Sequence, residues 1–301
     1  MQRSHLLALK GLIALSFLVG LGIWVDANLN WQEILTVWAL IDPYHVAAIV
    51  VLVMLSHVIR ATRIHHAYKQ AHSVRWASIT GVSFTHNTLS FLLPMRLGEL
   101  ALPLLSRNRL NIPIGYSSAT LVLIRIFDAH WLLILLGLFA GSTLLNGSAL
   151  WIVGILVASM PVGLALLSNF TLKSERFTSI RPLVSQRRTL IILYLYTGLI
   201  WVLKLSALAY LSATLGDIAL HHAWIATIIA DASALSPITG FANAGTFEAA
   251  FALPLLPLGY ESSATVITAL NLHLLILVTN IAAGAIGFTL LLFNKTPKAS
   301  Q

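Results

Sequence analysis

The sequence predicts an all-α, polytopic transmembrane helical bundle, and three observations carry that prediction: its hydropathy, the lengths of its apolar runs and the placement of its basic residues. Hydrophobic residues make up 58% of the 301 positions and charged residues only 9%, with a mean hydropathy of +0.87. Soluble domains carry about 25% charged residues, and no soluble fold of this length could bury so much apolar side chain. The polar stretches are too short to build an independent core, so residues 1–301 read as a single transmembrane domain.

A spanning helix needs about 20 predominantly apolar residues. Six stretches meet that requirement: 6–25, 44–60, 116–141, 150–168, 190–212 and 262–292. Two further apolar stretches, 76–104 and 223–257, are interrupted near their middles, the first by Pro94 and Gly98, the second by Pro237, Gly240 and Gly245. Proline removes a backbone donor and glycine loosens a helix, and breaks within a membrane persist only where protein or a water-filled cavity satisfies the freed groups. Both stretches are therefore expected to be re-entrant helical hairpins, with two close-spaced crossings as the local alternative.

Charge placement tests this layout. Alternating the six spans puts Arg3, Arg60, Arg63, Lys69, Arg75, Arg107, Arg109, Lys173, Arg176, Arg181, Arg187, Arg188, Lys295 and Lys298 on one side. Asp26, Glu33, Asp42, Asp217 and Glu261 fall on the other. Basic loops stay cytoplasmic, so both termini are expected in the cytoplasm and the protein in a plasma membrane, specifically a bacterial inner membrane. Membrane orientation accounts for the net charge of +8, and no nucleic-acid partner is expected. An uncleaved first span is expected over 6–25, with Arg3 and Lys10 ahead of or within it.

The segment from Glu99 to Leu105, followed by Gly115 to Thr120, resembles Glu248 to Leu256 followed by Gly259 to Thr265. The copies precede spans of opposite direction. That pattern predicts an inverted repeat of two halves, about 1–141 and about 150–292, an architecture common in transporters.

A charge at the centre of a bilayer costs about 2.5–3.5 kcal/mol on insertion scales, and Arg96, Glu99, Arg125, Asp128, Lys204, Asp231 and Glu248 all lie within apolar segments. Arg96 and Glu99 sit beside Asn87 at the first break. Arginine's planar donors suit phosphate, so Arg96 reads either as an anion site oriented by Glu99 or as half of a structural i, i+3 pair. Arg125 and Asp128 repeat that spacing and pair with each other or across the hairpin. Glu248, close to Asn243 at the second break, reads as a proton or cation site, as an acceptor for a cationic head group, or as a carboxylate bonded to freed backbone donors. Lys204 reads as snorkelling or paired, Asp231 as interfacial, and six tryptophans as interfacial anchors.

His65-His66 and His221-His222 read as adjacent pairs in loops that form no metal template, and the absence of cysteine excludes thiol chemistry and disulfides. Neither metal nor cofactor is expected. Hydrolase elbows, P-loops and zinc-protease motifs do not occur.

The motif from Asn87 to Glu99 (N-x-x-x-x-L-L-P-x-R-x-G-E), together with Arg125-x-x-Asp128, Arg60-x-x-Arg63 and the Pro237 to Glu248 segment ending Gly-Thr-Phe-Glu-Ala, resembles the lysylphosphatidylglycerol synthase transmembrane region family, also described as flippase-like. The resemblance implies a lipid translocase moving a polar or anionic lipid between leaflets, with aminoacylated and glycosylated phospholipids among the candidates. It also implies Asn87, Pro94, Arg96, Gly98, Glu99, Arg125, Asp128, Gly245 and Glu248 as positions of functional weight. Residues 1–301 hold no synthase segment, so aminoacyl transfer is not expected of them. The partner expected is a membrane phospholipid or glycolipid, and the alternatives are an intramembrane enzyme modifying a lipid head group or a non-catalytic scaffold.

Overall fold

The computed structural model describes residues 23, 26, 31–39, 41–144, 149–173, 181–234 and 241–293. Every regular element among them is helical: α1 (Trp31–Trp38), α2 (Pro43–Tyr68), α3 (Trp76–Leu92), α4 (Ala101–Leu110), α5 (Ile114–Leu144), α6 (Ala149–Lys173), α7 (Arg181–Val184), α8 (Arg187–Gly216), α9 (Leu220–Ser233), α10 (Thr246–Ala252) and α11 (Ser262–Phe293). The stretch 6–25 falls almost wholly outside the described residues, as do Pro237 and Gly240.

Among the described residues four helices, α2, α5, α8 and α11, are long and apolar enough to cross a membrane, and α6 carries the shorter apolar stretch Trp151–Met160. Large apolar side chains on their outer faces stay exposed, including Val51, Val122, Leu133, Leu195 and Val278. Among soluble monomers such continuous apolar exposure is rare, and here it marks a multi-pass membrane protein.

Local chemistry sets the helix ends. Asp42 accepts the Tyr44 N–H at 2.8 Å and Pro43 occupies the first turn of α2, a favourable pairing of N-cap and proline. At its other end α2 continues to Tyr68, eight residues past the expected span, because nothing between Ala61 and Tyr68 breaks a helix. Arg60 and Arg63 therefore lie within the helix rather than in a loop. Asn111 and Asp217, both left-handed (φ 56° and 48°), close α4 and α8.

Three further expectations need correction. Trp31–Trp38, read as an outer loop, forms α1, which was too short to register as a span. His65-His66 ends α2 and His221-His222 begins α9, so neither pair sits in a loop; the His221 and His222 rings are 4.0 Å apart.

The two interrupted stretches have similar anatomy. Leu93 is extended (φ −81°, ψ 133°), as a residue before proline prefers, and ends α3. A 3-10 turn over Pro94–Leu100 follows, with Arg96 at φ 57°, and α4 then lies back along α3. In the second stretch α9 leads to a turn with Ala242, Asn243 and Gly245 at φ 49°, 63° and 78° before α10. The Tyr260 hydroxyl accepts the Ala219 N–H at 3.0 Å, so the chain after α10 returns to where α9 began. With 10, 14 and 7 residues, α4, α9 and α10 fall short of the roughly 17–25 that a crossing takes.

Packing relates the two parts. α2 packs on α8, α3 packs on α2 and α11, and α9 packs on α8 and α5. Exchanging α2 with α8, α3 with α9 and α5 with α11 preserves these pairings. The α3–α11 contact is close because Gly287 lies against Phe84 and Thr85, where a Cβ would sit 2.7 Å from Phe84 Cβ. One apolar cluster joins Tyr68, Ile112, Val184, Leu190 and Leu291 at the bundle end that carries Lys69, Arg75, Arg107, Arg109, Arg187 and Arg188. Another joins Ile41, Ile49, Leu211, Ile218 and Leu255 at the end that carries Asp42, Asp217 and Glu261.

Gly98 is the tightest point of the first break: a Cβ there would lie 1.9 Å from the Leu89 carbonyl oxygen, which is backbone and cannot swing aside. Gly98→Ala is expected to lower stability by roughly 1–3 kcal/mol, measured as thermal unfolding in detergent. Gly154→Ala, with nothing within 4 Å of its Cβ, should hold or raise it.

Candidate functional site

The breaks face a cavity of about 140 Å³ between α2, α3, α8, α9 and α11. One water needs about 10–15 Å³ by the same measure, so the space admits several waters or a polar head group. Its lining combines Arg60, Asn87, Arg96, Glu99, Arg125, Lys204, Asp231 and Asn243 with His57, Trp201 and the apolar Phe91, Phe247 and Ile276.

Asp128 is the anchor of the charged wall. It is fully buried and accepts from Arg63 Nη1 (2.9 Å) and Trp201 Nε1 (3.1 Å) on one oxygen and from Arg125 Nη1 (3.1 Å) on the other. Arg63 also donates to the Thr197 hydroxyl at 2.8 Å. Helices α2, α5 and α8 are thereby tied through one carboxylate. Asp128 does not line the cavity; it holds Arg125 at the rim. Arg125 Nε lies 3.0 Å from Glu99 Oε1, an ion pair without hydrogen-bond alignment, and Arg96 Nη2 reaches the same oxygen at 2.8 Å. Both pairings foreseen for Arg125 thus occur together, whereas Arg96 pairs with Glu99 and not with Asp128.

On the facing wall Lys204 pairs with Asp231 at 2.7 Å, so Asp231 is a bundle-interior partner and not an interfacial residue. Trp201 lies beneath two cations, 5.3 Å from the Arg60 guanidinium carbon and 5.7 Å from Lys204 Nζ, within range of its π face. Arg60 forms no ion pair among the described residues. Counting the described wall and its anchor, Arg60, Arg63, Arg96, Arg125 and Lys204 oppose Glu99, Asp128 and Asp231, a formal excess of two positive charges. Three buried polar atoms of lining residues have neither a hydrogen bond nor an ion-pair contact among the described residues: His57 Nδ1, Asn87 Nδ2 and Asn243 Oδ1. Buried polar groups are normally bonded, so these atoms are suited to a polar ligand or water in the cavity.

Glu248 lies behind Phe247 and not at the cavity wall. One oxygen accepts the Gly245 N–H at 2.7 Å and the other meets His273 Nδ1 at 2.5 Å, while His273 Nε2 faces the Ala242 carbonyl at 2.7 Å. The expected bond to a backbone donor freed by the break is therefore present. His273 supplies the partner that no arginine provides in this half.

Sequence reasoning missed Arg60, His57, Trp201, His273 and the Lys204–Asp231 link as components of the site. The i, i+3 spacing of Arg60 and Arg63 in a helix continuing to Tyr68 was the usable signal for the first. The others come from packing between helices distant in sequence. Among the described residues no group of three His, Asp or Glu could hold a metal ion.

A multi-pass helical membrane protein with two interrupted helices enclosing a cationic, polar cavity is the class this fold and site define. The chain belongs to the lysylphosphatidylglycerol synthase TM region family, whose sequence profile matches residues 9–284. No curated protein and no solved structure matches it.

Asp128→Asn strands the buried Arg63 guanidinium, and a loss of about 3–5 kcal/mol is expected. Glu99→Gln, at a position about 20% exposed, should cost about 1 kcal/mol or less. Denaturation of both variants in one detergent checks the order, and equal losses would contradict the anchoring role of Asp128.

Proposed function

We propose that this protein is a lipid translocase that passes a phosphate-bearing, anionic head group between leaflets while the acyl chains stay in lipid. The formal excess of two positive charges around a cavity that contains unpartnered polar atoms carries this reading. Arg60, Arg96 and Arg125 receive the phosphate oxygens. Glu99 and Asp128 orient the guanidinium groups. Asn87 and Asn243 bond to the polar part of the head group, and Phe91 and Ile276 give the acyl end an apolar border.

The same charge excess selects against a lipid whose head carries net positive charge, so a phosphodiester or phosphomonoester lipid suits the cavity better than an aminoacylated one. A chemical step on the lipid has no residue set aside for it. The carboxylates at the cavity are each engaged by arginine or lysine, which lowers their use as general bases.

In this reading residues 1–301 form one domain of six spans and two re-entrant hairpins, arranged as inverted halves over about 1–141 and about 150–292. The exchangeable helix pairings and the similar anatomy of the two breaks support the repeat. Basic residues gathered at one bundle end support a cytoplasmic placement for that end and for both termini, in a bacterial inner membrane. Access alternates as the halves rock about the cavity.

Purified protein reconstituted into vesicles with labelled lipids tests the proposal. Transfer of a phosphate-bearing anionic lipid should accelerate, and transfer of a cationic aminoacyl lipid should not. Arg60→Gln should slow the anionic lipid about tenfold or more, since a charged hydrogen bond contributes roughly 1.5–3 kcal/mol. Transfer that ignores head-group charge would overturn the assignment, and recovery of chemically altered lipid would indicate an enzyme instead.

A further inference from the structure

The pair formed by Glu248 of α10 and His273 of α11 has a proton count that its geometry dictates. Both residues are 5% exposed. His273 Nε2 faces the Ala242 carbonyl oxygen at 2.7 Å, and a carbonyl only accepts, so Nε2 carries a hydrogen. His273 Nδ1 and Glu248 Oε1 are 2.5 Å apart, a distance that requires one proton between them. The proton sits on nitrogen, giving imidazolium and carboxylate, or on oxygen, giving neutral imidazole and acid. Either way the pair is formally neutral and holds one more proton than imidazole with carboxylate alone.

Removal of that proton leaves a single ring hydrogen for two acceptors. If it stays on Nε2, a nitrogen lone pair faces a carboxylate oxygen. If it moves to Nδ1, a lone pair faces the Ala242 carbonyl. One of the two contacts must break. The Ala242 contact matters mechanically because Ala242 and Asn243 both hold positive φ, a conformation unfavourable for alanine, and the histidine pins the Ala242 carbonyl. Glu248 pins the same turn through the Gly245 N–H. Asn243, between those two attachments, lines the cavity and donates to the Ser233 hydroxyl at 2.9 Å.

The surroundings leave the pair to itself. From α3 comes the Phe91 ring, 5.7 Å from that of His273, with His86 further along and bonded to Ser90. On the α10 side is the Phe247 ring at 5.0 Å. From α9 comes Asp231, engaged by Lys204 of α8, and His222, bonded to Tyr260. From α2 come His57 and Arg60 across the cavity. Among the described residues none of these ionisable groups bonds to Glu248 or His273.

We propose that Glu248 and His273 form a proton-binding site that latches the second hairpin, and that loss of its proton to water releases the turn carrying Asn243. Resting on the translocase reading, this makes the proton the coupling ion: occupancy holds the hairpin shut against the cavity, and release changes the cavity's shape.

The chain contains no cysteine, which permits a clean labelling test. The maleimide labelling rate of Ala244→Cys, divided by that of Ser263→Cys to remove the intrinsic thiol titration, is followed from roughly pH 5 to pH 8, the range in which imidazole side chains in general change charge. The ratio should rise about tenfold or more as pH rises, as a minor open state becomes the major one. With Glu248→Gln added, the ratio should stay low throughout, because the amide donates to Nδ1 and still accepts from Gly245, as the protonated acid does. With His273→Ala added it should stay high throughout; should that variant fail to fold, the glutamine variant decides. A flat ratio in the parent protein, or a rise unchanged by Glu248→Gln, overturns the latch. In vesicles an imposed pH difference should change the lipid transfer rate. Transfer that persists but ignores the gradient overturns coupling, whereas absence of all transfer overturns only the translocase reading and leaves the labelling ratio to judge the proton site.

Discussion

The structure depends on one constraint: a charge taken out of water must meet its compensation inside the protein. Asp128 satisfies that constraint for three helices at once. It neutralises Arg63 from α2 and Arg125 from its own helix, and it accepts the Trp201 indole from α8. A buried ion pair contributes little net stability compared with apolar packing, yet loss of one partner is severe. The Asp128 cluster therefore acts mainly to fix register, holding α2, α5 and α8 at the heights where Arg60, Arg125 and Lys204 reach the same cavity.

The two breaks solve the companion problem for the backbone. Each interrupts helical hydrogen bonding beside the cavity, and each brings polar side chains to the gap. In the first, Arg96 and Glu99 come with a glycine that lets the chain pack on the Leu89 carbonyl. In the second, Glu248 and His273 bond to the main chain of the turn. The cavity lies between these two solutions, one rich in arginine and one built on a carboxyl and an imidazole. In the proposed reading, that asymmetry gives the first break an anion-binding role and the second a proton-binding one.

Much of the fold was legible because membrane helices leave long, uninterrupted apolar runs. The stretches 44–60, 116–141, 150–168, 190–212 and 262–292 all fall within single helices, and their ends lie further out because polar residues such as those from Ala61 to Tyr68 prolong a helix without prolonging its apolar core. Pro94 marked the first break through a purely local effect on Leu93. Short α1 left no comparable trace. In the site, Arg96, Glu99, Arg125 and Asp128 were visible as charges amid apolar sequence, while Arg60 and Arg63 at the margin of a run resembled topology signals. His273 carries no charge pattern, and its meeting with Glu248 spans 25 residues of chain. Such contacts follow from packing, which periodicity does not encode.

The central claim is that the cationic cavity receives a lipid phosphate, and its most direct test is an experimental structure of the protein in nanodiscs containing an anionic phospholipid. The account predicts head-group density in the cavity with a phosphate oxygen within hydrogen-bonding distance of Arg60 and a second on Arg125. Lipid confined to the outer apolar faces, with Arg60 turned to pair with a carboxylate of its own chain, would contradict it.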